Sequence, residues 1–261
     1  MSIFALDDRL IFPPAEYADD SGLLAAGGDL SARRLLLAYS SGIFPWFSAG
    51  DPVLWWSPEP RCIITPDSLR VSRSLSKRLR QSDDVVTFDR DFTAVIDGCA
   101  SIDGRDSKGG WLTPAMRSAY QTLHAQGYAH SVECWRKGEL AGGLYGVALG
   151  RCFCGESMFH RQSDASKMAF AALAATLFTT GYALIDCQLP TAHLQSLGGT
   201  CVSREHFLQS LRAAGVVPSL IPAAGPFPLG ELTARAVTGV LQRWQREGGG
   251  AVGGGLDWAR E

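Results

Sequence analysis

The stretch that decides the fold covers residues 130–159 and reads HSVECWRKGELAGGLYGVALGRCFCGESMF. It contains three strand-like segments, HSVECW, LAGGLYGVAL and RCFCGESMF, separated by short turns at residues 136–139 and at Gly150. Connections this short join antiparallel strands, because a parallel pair needs a crossover of a dozen or more residues. The sequence therefore predicts three consecutive antiparallel strands at the centre of the fold.

Helices and one further strand flank these three strands in the sequence. Before them, Asp91 and Thr113-Pro114 begin two amphipathic helices. After them come an alanine-rich helix through about Thr179, the strand LIDCQ, and a last helix that begins at Ser203. This order predicts an α+β protein. Its larger domain, residues 65–238, is expected to have a mostly antiparallel sheet flanked by helices and to be similar to acyl-CoA N-acyltransferases (GNAT-like).

The two ends of the chain differ from this regular pattern. Residues 1–64 are rich in Pro, Gly and Trp, contain one helix at about residues 31–41, and predict a small N-terminal α/β domain. Its crowded tryptophans are either ordinary core or part of a binding surface. Residues 239–261 contain GGGAVGGG, which has nothing to bury, and predict a flexible C-terminal tail.

The overall composition is that of a compact globular protein. Of 261 residues, 46% are apolar and 19% are charged, which excludes disordered and collagen-like chains. The formal net charge is −2, so a nucleic-acid partner would have to be held by a local basic patch. We expect a monomer that does not bind DNA.

Cysteine use and the N-terminus indicate the compartment. Seven cysteines are scattered along the chain without a Cys-x-x-Cys pair or zinc-ligand spacing. Asp7 and Asp8 interrupt any signal-peptide core, and the uncharged run between Lys167 and Asp186 is weakly apolar and broken near its end. We therefore expect a cytoplasmic protein with reduced thiols, no membrane association and no bound metal.

The segment LRVSRSLSKRLR, residues 69–80, carries five basic side chains and no acid. Four of them have helical spacing, so a phosphate backbone could run along the row. The alternative is a solvated helix face, but the acids that would stabilise such a face at i±4 are absent. The basic residues are Arg70, Arg73, Lys77, Arg78 and Arg80.

Two acids and an amide lie at strand ends in apolar surroundings. Glu156 ends the third strand, and Asp186 and Gln188 are two residues apart on LIDCQ. A buried carboxylate needs a donor or a cationic ligand. Either Gln188 or a backbone N–H donates a hydrogen bond to Asp186 and the acid has only a structural role, or the two acids form a receptor for a positively charged group.

Four motifs occur in a specific order, namely FPWF (44–47), WWSP (55–58), GESMF (155–159) and IDCQ (185–188). With them, the sequence from about residue 12 to 211 resembles the leucyl/phenylalanyl-tRNA–protein transferase family. The resemblance implies transfer of Leu or Phe, with Met as a further donor, from aminoacyl-tRNA to the α-amino group of proteins with N-terminal Arg or Lys. It implies no cofactor, and it implies that the products enter N-degron degradation by the Clp protease.

The resemblance also implies roles for particular residues. Asp186 and Gln188 are catalytic, Glu156 contacts the acceptor, and the basic row binds tRNA. A carboxamide is a very weak base, whereas a peptide α-amine with a pKa of about 7.7–8.0 is already partly neutral, so we expect Asp186 and Gln188 to act as positioners. Phe170 and His160 depart from the residues common in the family. The aminoacyl and adenosine pocket implied by the resemblance consists of Trp46, Trp111, Phe153, Gly155, Met158, Phe178 and Ile185.

Other interpretations stay open at this point. A CoA-dependent N-acyltransferase fits the sheet pattern, but residues 162–167 lack the glycine-rich turn that cradles a pyrophosphate. A serine hydrolase would use Ser157, Asp186 and His193, but Phe159 replaces the second glycine of the nucleophile elbow. A non-catalytic tRNA-binding protein is the third alternative, but it would give no function to Glu156, Asp186 and Gln188 or to the apolar aminoacyl pocket.

Overall fold

A computed structural model of the chain describes residues 3–101 and 110–246, which form two β-sheets with helices around them. The small sheet belongs to the N-terminal part. The elements of this part are β1 (Phe4–Leu6), a single 3-10 turn (Ala15–Tyr17), β2 (Leu23–Gly27), α1 (Ala32–Ser40), β3 (Phe44–Pro45) and β4 (Leu54–Trp56).

The remaining elements build the large sheet and its covering helices. They are β5 (Arg61–Ile64), α2 (Arg73–Gln81), β6 (Val85–Phe88), α3 (Phe92–Ser101), α4 (Pro114–Ala125), β7 (Ala129–Arg136), β8 (Glu139–Leu149), β9 (Cys152–His160), α5 (Ala165–Thr179), β10 (Leu184–Gln188), α6 (Ala192–Ser196), β11 (Thr200–Val202), α7 (Arg204–Ala213), β12 (Gly230–Thr233) and α8 (Ala234–Arg246).

The large sheet has the strand order β11-β5-β10-β9-β8-β7-β6-β12. Its neighbouring strands are antiparallel, except that β10 is parallel to β9. The three predicted strands are β7, β8 and β9. Lys137 and Gly138 both have positive φ angles, 53° and 80°, in the turn between β7 and β8, and this is the geometry of a tight two-residue hairpin. The antiparallel meander and the α+β class are thereby confirmed.

The helices divide between the two faces of the large sheet. On one face, α5 packs against β7 and β8 and is itself contacted by α2 and α8. Because α5 is apolar around its whole circumference, nearly all of its residues are buried. On the other face, α3 packs on β7, β8 and β9, and α4 connects this layer to α1.

The small sheet has the order β1-β2-β4-β3, and only its β1–β2 pair is parallel within the described part of the chain. Trp55 in β4 is fully buried, and its Nε1 donates to the carbonyl oxygen of Gly27 at 2.9 Å. Trp46 is exposed by 43%. The tryptophan-rich segment therefore supplies both core and surface.

Two of the expected domain limits need correction. β5 pairs with β10 and β11, so the change from the small to the large sheet lies between β4 and β5 and not at residue 64. Residues 239–246 belong to α8, because Val240 and Leu241 bury an apolar helix face, and they are not a tail. The rest of the expected tail, 247–261, lies outside the described residues.

Candidate active site

An opening beside Glu156 and Gln188 lies where β9 and β10 separate. The two strands pair in parallel from Leu184↔Cys152 to Asp186↔Cys154, and the pairing ends there. Beyond this point a cavity of about 270 Å³ opens, which we call the first cavity. Its apolar wall is formed by Leu144, Phe153, Met158, Phe170, Leu173 and Ile185, and its polar edge by Glu156, Ser157, Gln188, Thr191 and His193.

A β-bulge lies on each of the two strands at this opening. On β9, Glu156 is the extra residue, because Tyr145 pairs with Ser157 while the next residue of β8 pairs with Gly155. On β10, an extra residue stands between Asp186 and Gln188 relative to β5. Bulges bend a strand and redirect its side chains, and they are common beside active sites. Here they bring Gln188 Nε2 within 2.9 Å of Glu156 Oε1, to which it donates a hydrogen bond.

Gln188 has an unusual backbone conformation. Its φ angle is 62°, in the left-handed region that residues other than glycine rarely adopt. The backbone N–H of Gln188 donates to Asp186 Oδ1 at 2.9 Å. Asp186 therefore holds the turn that aims the Gln188 side chain toward Glu156.

Asp186 is also bound to Arg61, a residue that the sequence analysis did not single out. Arg61 Nε donates to Oδ1 at 2.8 Å and Arg61 Nη2 donates to Oδ2 at 2.7 Å. Both side chains are at most 2% exposed, and the guanidinium group lies over the rings of Phe44 and Phe207. Of the two alternatives left open for Asp186, the structure shows a donor within the protein, since Arg61 binds both carboxylate oxygens and Asp186 lines neither of the two cavities at this site. Asp186 therefore supports the site from beneath.

Glu156 is the acid that reaches the cavity. Tyr120 Oη donates to Glu156 Oε2, and the hydroxyls of Tyr120 and Tyr39 are 2.7 Å apart. Burial raises the pKa of Glu156 to about 7, although the hydrogen bonds from Tyr120 and Gln188 oppose this rise. Burial also raises the pKa values of both tyrosines well above their usual value, so their hydroxyls stay protonated. The sequence analysis did not single out Tyr39 or Tyr120 as site residues.

A second cavity of about 130 Å³ lies on the other side of the Glu156–Gln188 hydrogen bond. We call this cavity of about 130 Å³ the second cavity. Glu156 and Gln188 line both the first and the second cavity. The remaining wall of the second cavity is formed by Phe44, Pro45, Trp46, Trp111 and Leu189.

The predicted pocket residues are distributed over these two spaces. Phe153, Gly155, Met158 and Ile185 line the first cavity. Trp46 and Trp111 line the second cavity. Phe178 lines neither, because it faces away from the opening and its ring lies 6.1 Å from that of Trp244 in α8. Phe170, which the sequence analysis noted as a departure from the family that adjusts the pocket or its rim, lines the first cavity. Leu144 on β8 and Leu173 on α5 were not predicted, since the sequence does not show which strand residues and which helix face the gap between β9 and β10.

The five residues of the basic row are all exposed, and within residues 3–101 and 110–246 none of them forms a salt bridge. The expectation of one continuous helical row is wrong at its first member. α2 begins at Arg73 after the N-cap Ser72, and Arg70 precedes the helix. The backbone N–H of Arg70 donates to the carbonyl oxygen of Leu197 directly after α6, the helix that contributes His193 to the first cavity. The row therefore begins next to the cavity.

The geometry weighs against the other interpretations of the sequence. Asp186 contacts Arg61 and Gln188, so the Ser157, Asp186 and His193 triad is not assembled. Asp164 lies at the N-terminus of α5 and is 3.4 Å from Lys167, so an acid occupies the place where CoA phosphates would bind.

Two kinds of feature are absent from the parts of the chain that the structure describes. There, no cluster of three or more His, Cys, Asp or Glu residues is arranged to hold a metal ion. None of the helices in those parts combines the length and the apolarity needed to cross a membrane.

Comparison with known proteins identifies the family. Family models for the leucyl/phenylalanyl-tRNA protein transferase and for its N-terminal domain match residues 63–212 and 28–59. The change of family model at residues 59–63 coincides with the change of sheet between β4 and β5.

Curated relatives agree with this match. A protein of Syntrophotalea carbinolica named leucyl/phenylalanyl-tRNA–protein transferase is 57% identical over 228 residues, which are 87% of this chain and 99% of the relative. Proteins of the same name from Desulforapulum autotrophicum and Pseudomonas fluorescens SBW25 are 52% and 56% identical over 82% and 78% of this chain, and over 93% and 91% of their own lengths. The chain therefore belongs to the leucyl/phenylalanyl-tRNA–protein transferase family and is an aminoacyltransferase.

Proposed function

We propose that this enzyme transfers Leu or Phe, and also Met, from aminoacyl-tRNA to the α-amino group of proteins with an N-terminal Arg or Lys. The observation that carries the proposal is the meeting of two cavities at the hydrogen-bonded pair Glu156 and Gln188. Such an arrangement suits a transferase, because a donor that spans both cavities has its ester at their junction, where the amine of the second substrate must be placed beside the ester carbonyl.

The first cavity suits the aminoacyl side chain of the donor. Its apolar wall is rigid because Phe153 and Ile185 lie on paired strands and Phe170 lies on the buried helix α5. A cavity of this kind selects by shape, and one methylene group in such a pocket is worth about 1–3 kcal/mol. A branched Val side chain would leave part of the space empty, whereas Leu, Met and Phe would fill more of it.

The second cavity and the basic row suit the rest of the donor. Trp46 and Trp111 offer aromatic surfaces on which the terminal adenosine can stack. The exposed, acid-free row on and before α2 can hold tRNA phosphates in a manner that tolerates different sequences. The first residue of the row, Arg70, is hydrogen-bonded to Leu197 directly after α6, which borders the first cavity, so one tRNA could extend from the row to this cavity.

Gln188 is proposed to orient the attacking amine. Its Nε2 is engaged by Glu156, which leaves the amide carbonyl oxygen to accept a hydrogen bond from the amine. Asp186 and Arg61 hold the backbone turn on which Gln188 stands. The aminoacyl ester is already activated, so correct placement of the amine supplies a large part of the acceleration.

Glu156 is proposed to contact the acceptor, because its carboxylate lies between the two cavities and can attract a positively charged N-terminal residue. No cofactor is required, since the donor ester carries the activation. We further propose a cytoplasmic monomer with an acyl-CoA N-acyltransferase-like (GNAT-like) sheet, whose one parallel pair opens the substrate cavity. Its products would enter the N-degron route to the Clp protease.

The test is transfer of radiolabelled Leu from Leu-tRNA to two acceptor proteins that differ only in an N-terminal Arg or Ala. We expect label in the Arg acceptor alone, and Lys in that position should restore transfer. Equal labelling of both acceptors would refute the acceptor half of the proposal. Binding of tRNA without any transfer would instead indicate a tRNA-binding protein.

A further inference from the structure

Proton movement is the part of the reaction that Asp186 and Gln188 do not explain. When an amine attacks an ester, a carbon–nitrogen bond forms and the bond from carbon to the ribose oxygen breaks. One proton must leave the nitrogen and one must reach the departing oxygen. Asp186 is paired with Arg61 and lines neither of the two cavities, and a carboxamide such as Gln188 does not accept a proton at neutral pH.

We propose that Glu156 takes the proton from the attacking amine nitrogen and delivers it to the departing ribose oxygen, with Tyr120 and Tyr39 holding its carboxylate in place. This step is balanced, since the proton removed from nitrogen ends on the ribose hydroxyl and Glu156 is regenerated. The inference rests on the proposed function and assigns the proton transfer within it to one side chain.

Position is the first argument for Glu156. It lines both cavities, so it lies where the ester joins the aminoacyl group in the first cavity to the adenosine in the second, beside the amine that Gln188 orients. The bulge on β9 places it there as an extra residue, outside the regular alternation of the strand. Bulges that redirect a side chain into a cavity are a recurring feature of active sites.

Its hydrogen bonds are the second argument. Oε2 accepts from Tyr120 and Oε1 accepts from Gln188, so the carboxylate is fixed by one donor on each oxygen. Each carboxylate oxygen has a further lone pair, so a substrate proton can still approach. Tyr39 in turn fixes the Tyr120 hydroxyl.

Among the ionisable groups at the site, Glu156 is the one whose pKa is close to that of the attacking α-amine. Burial raises the pKa of Glu156 to about 7, close to that of a peptide α-amine, about 7.7–8.0. Four other titratable groups that face it stay protonated, because burial raises the pKa values of the tyrosines and hydrogen bonding and burial raise that of Cys154. These groups are Tyr39, Tyr120, Tyr145 and Cys154. The remaining neighbour, Asp186, is paired with Arg61.

His193 is the competing candidate. It lines the first cavity but not the second, and burial together with Lys167 and His160 lowers its pKa. It stands on α6, beyond the strand that carries Gln188. A His193→Gln variant is therefore the matched control for loss of a titratable group at the cavity.

The experiment is a single-turnover measurement of Leu transfer to an Arg acceptor between pH 5.5 and 9, with saturating substrates. The wild-type rate should rise through about pH 7, where Glu156 becomes a carboxylate. Glu156→Gln should lower the rate about 10²–10⁴-fold and lose that rise, keeping only the titration of the amine. Formate should restore part of the activity of Glu156→Ala, because a small carboxylate can occupy the space left by the side chain.

Tyr120→Phe provides a second readout. It removes a donor to the charged form of Glu156, so the midpoint of the pH profile should move to higher pH while the rate at pH 9 recovers most of its value. A purely structural tyrosine would lower the rate equally at every pH. His193→Gln should leave the midpoint unchanged.

Two results would overturn the inference, and they can be told apart. If Glu156→Gln keeps the wild-type pH profile and only raises the KM of the Arg acceptor, Glu156 binds the acceptor and does not move the proton. If the wild-type enzyme labels no acceptor at any pH, the proposed function fails and the inference fails with it. Thermal unfolding of each variant at pH 7.5 confirms that the measured loss is not a loss of fold.

Discussion

Arg61 on β5 and Asp186 on β10 form a buried ion pair with two hydrogen bonds, of 2.8 and 2.7 Å. The pair lies directly beneath Gln188, the residue of β10 that lines both cavities. The same carboxylate accepts the backbone N–H of Gln188. The pair therefore links the interior of the large sheet to the left-handed turn at the site, and the aromatic rings of Phe44 and Phe207 shield it from water. Its loss should affect folding as well as transfer.

Removal of the cation from this pair should destabilise the protein strongly. Arg61→Met leaves the Asp186 carboxylate buried and unpaired, and we expect the free energy of unfolding to fall by about 3–5 kcal/mol. Urea unfolding monitored by tryptophan fluorescence measures this change. The double variant Arg61→Met, Asp186→Leu should recover a large part of the loss, because it contains no isolated charge. A cost below about 1 kcal/mol for the single variant would contradict a buried, tightly coupled pair.

Two glycines that pair across β8 and β9 beside the bulge, Gly146 and Gly155, should differ in their response to alanine: only the first substitution should lower stability. At Gly146 a Cβ atom would lie 2.2 Å from the carbonyl oxygen of Cys154 and 2.6 Å from the Phe153 ring, so Gly146→Ala should cost about 1–3 kcal/mol of stability. At Gly155 the nearest atom is the Asp186 carbonyl oxygen at 3.6 Å. Gly155→Ala is thus the matched control, and its unfolding midpoint should stay near that of the wild type. Equal midpoints for both variants would refute the packing described for β8 and β9.

Substitution of Phe170 should change donor selectivity. Phe170 lines the first cavity from α5, so Phe170→Leu enlarges the space and should shift the ratio of Phe to Leu transfer toward Phe by about 10-fold. Competition between Phe-tRNA and Leu-tRNA measures this ratio directly. Phe178→Leu, on the same helix but packed against Trp244, should lower stability without changing the ratio. An unchanged ratio in Phe170→Leu would mean that the first cavity does not hold the donor side chain.

Neutralisation of the basic row should weaken tRNA binding in a salt-dependent way. In the triple variant Arg73→Gln, Lys77→Gln, Arg80→Gln, the slope of log affinity against log salt should fall by about 0.7–0.9 for each phosphate that the protein no longer neutralises. Filter binding at several salt concentrations gives the slope. Arg212→Gln is the control, because this exposed cation lies on α7, next to the residues that precede β9, and is not part of the basic row. If the triple variant retains the wild-type slope, the row is only a solvated surface.

The raised pKa of Glu156 predicts a pH-dependent stability. Between its ordinary value of 4.5 and about 7, the folded protein holds a proton that the unfolded chain has released, so the free energy of unfolding should fall as pH rises through this window. Below pH 4.5 both states are protonated, and above pH 7 both are ionised. Relative to Glu156→Gln, the wild type should lose about 1–3 kcal/mol between pH 4.5 and 7.5. Chemical unfolding at fixed pH steps measures the difference, and a pH-independent difference would contradict the raised pKa.

Local patterns in the sequence predict a large part of the fold. The meander of β7, β8 and β9 follows from short turns, and α4 follows from a Thr113 cap and a first-turn proline, because these features depend on residues a few positions apart. The sequence analysis took the helix that begins at Ser203 as the last one and so missed α8, and the membership of β5 was not predictable from local patterns. α8 is helical through residues 239–246 because it packs on α5 and α2, and β5 is placed by its pairing with β10 and β11.

By itself, the sequence determined the residue types of the site and the strands that carry them, with Glu156 on β9 and Asp186 and Gln188 on β10. The expectation that Glu156 ends its strand is wrong, because Glu156 lies in the middle of β9 at a bulge. Only the tertiary structure decided which of these groups is available to a substrate. Arg61, 125 positions from Asp186 in the chain, neutralises one acid, while Tyr120 and a bulge turn the other toward both cavities. The proton affinity of a carboxyl group depends on burial, on nearby charges and on hydrogen bonds, and these arise only when distant segments pack together.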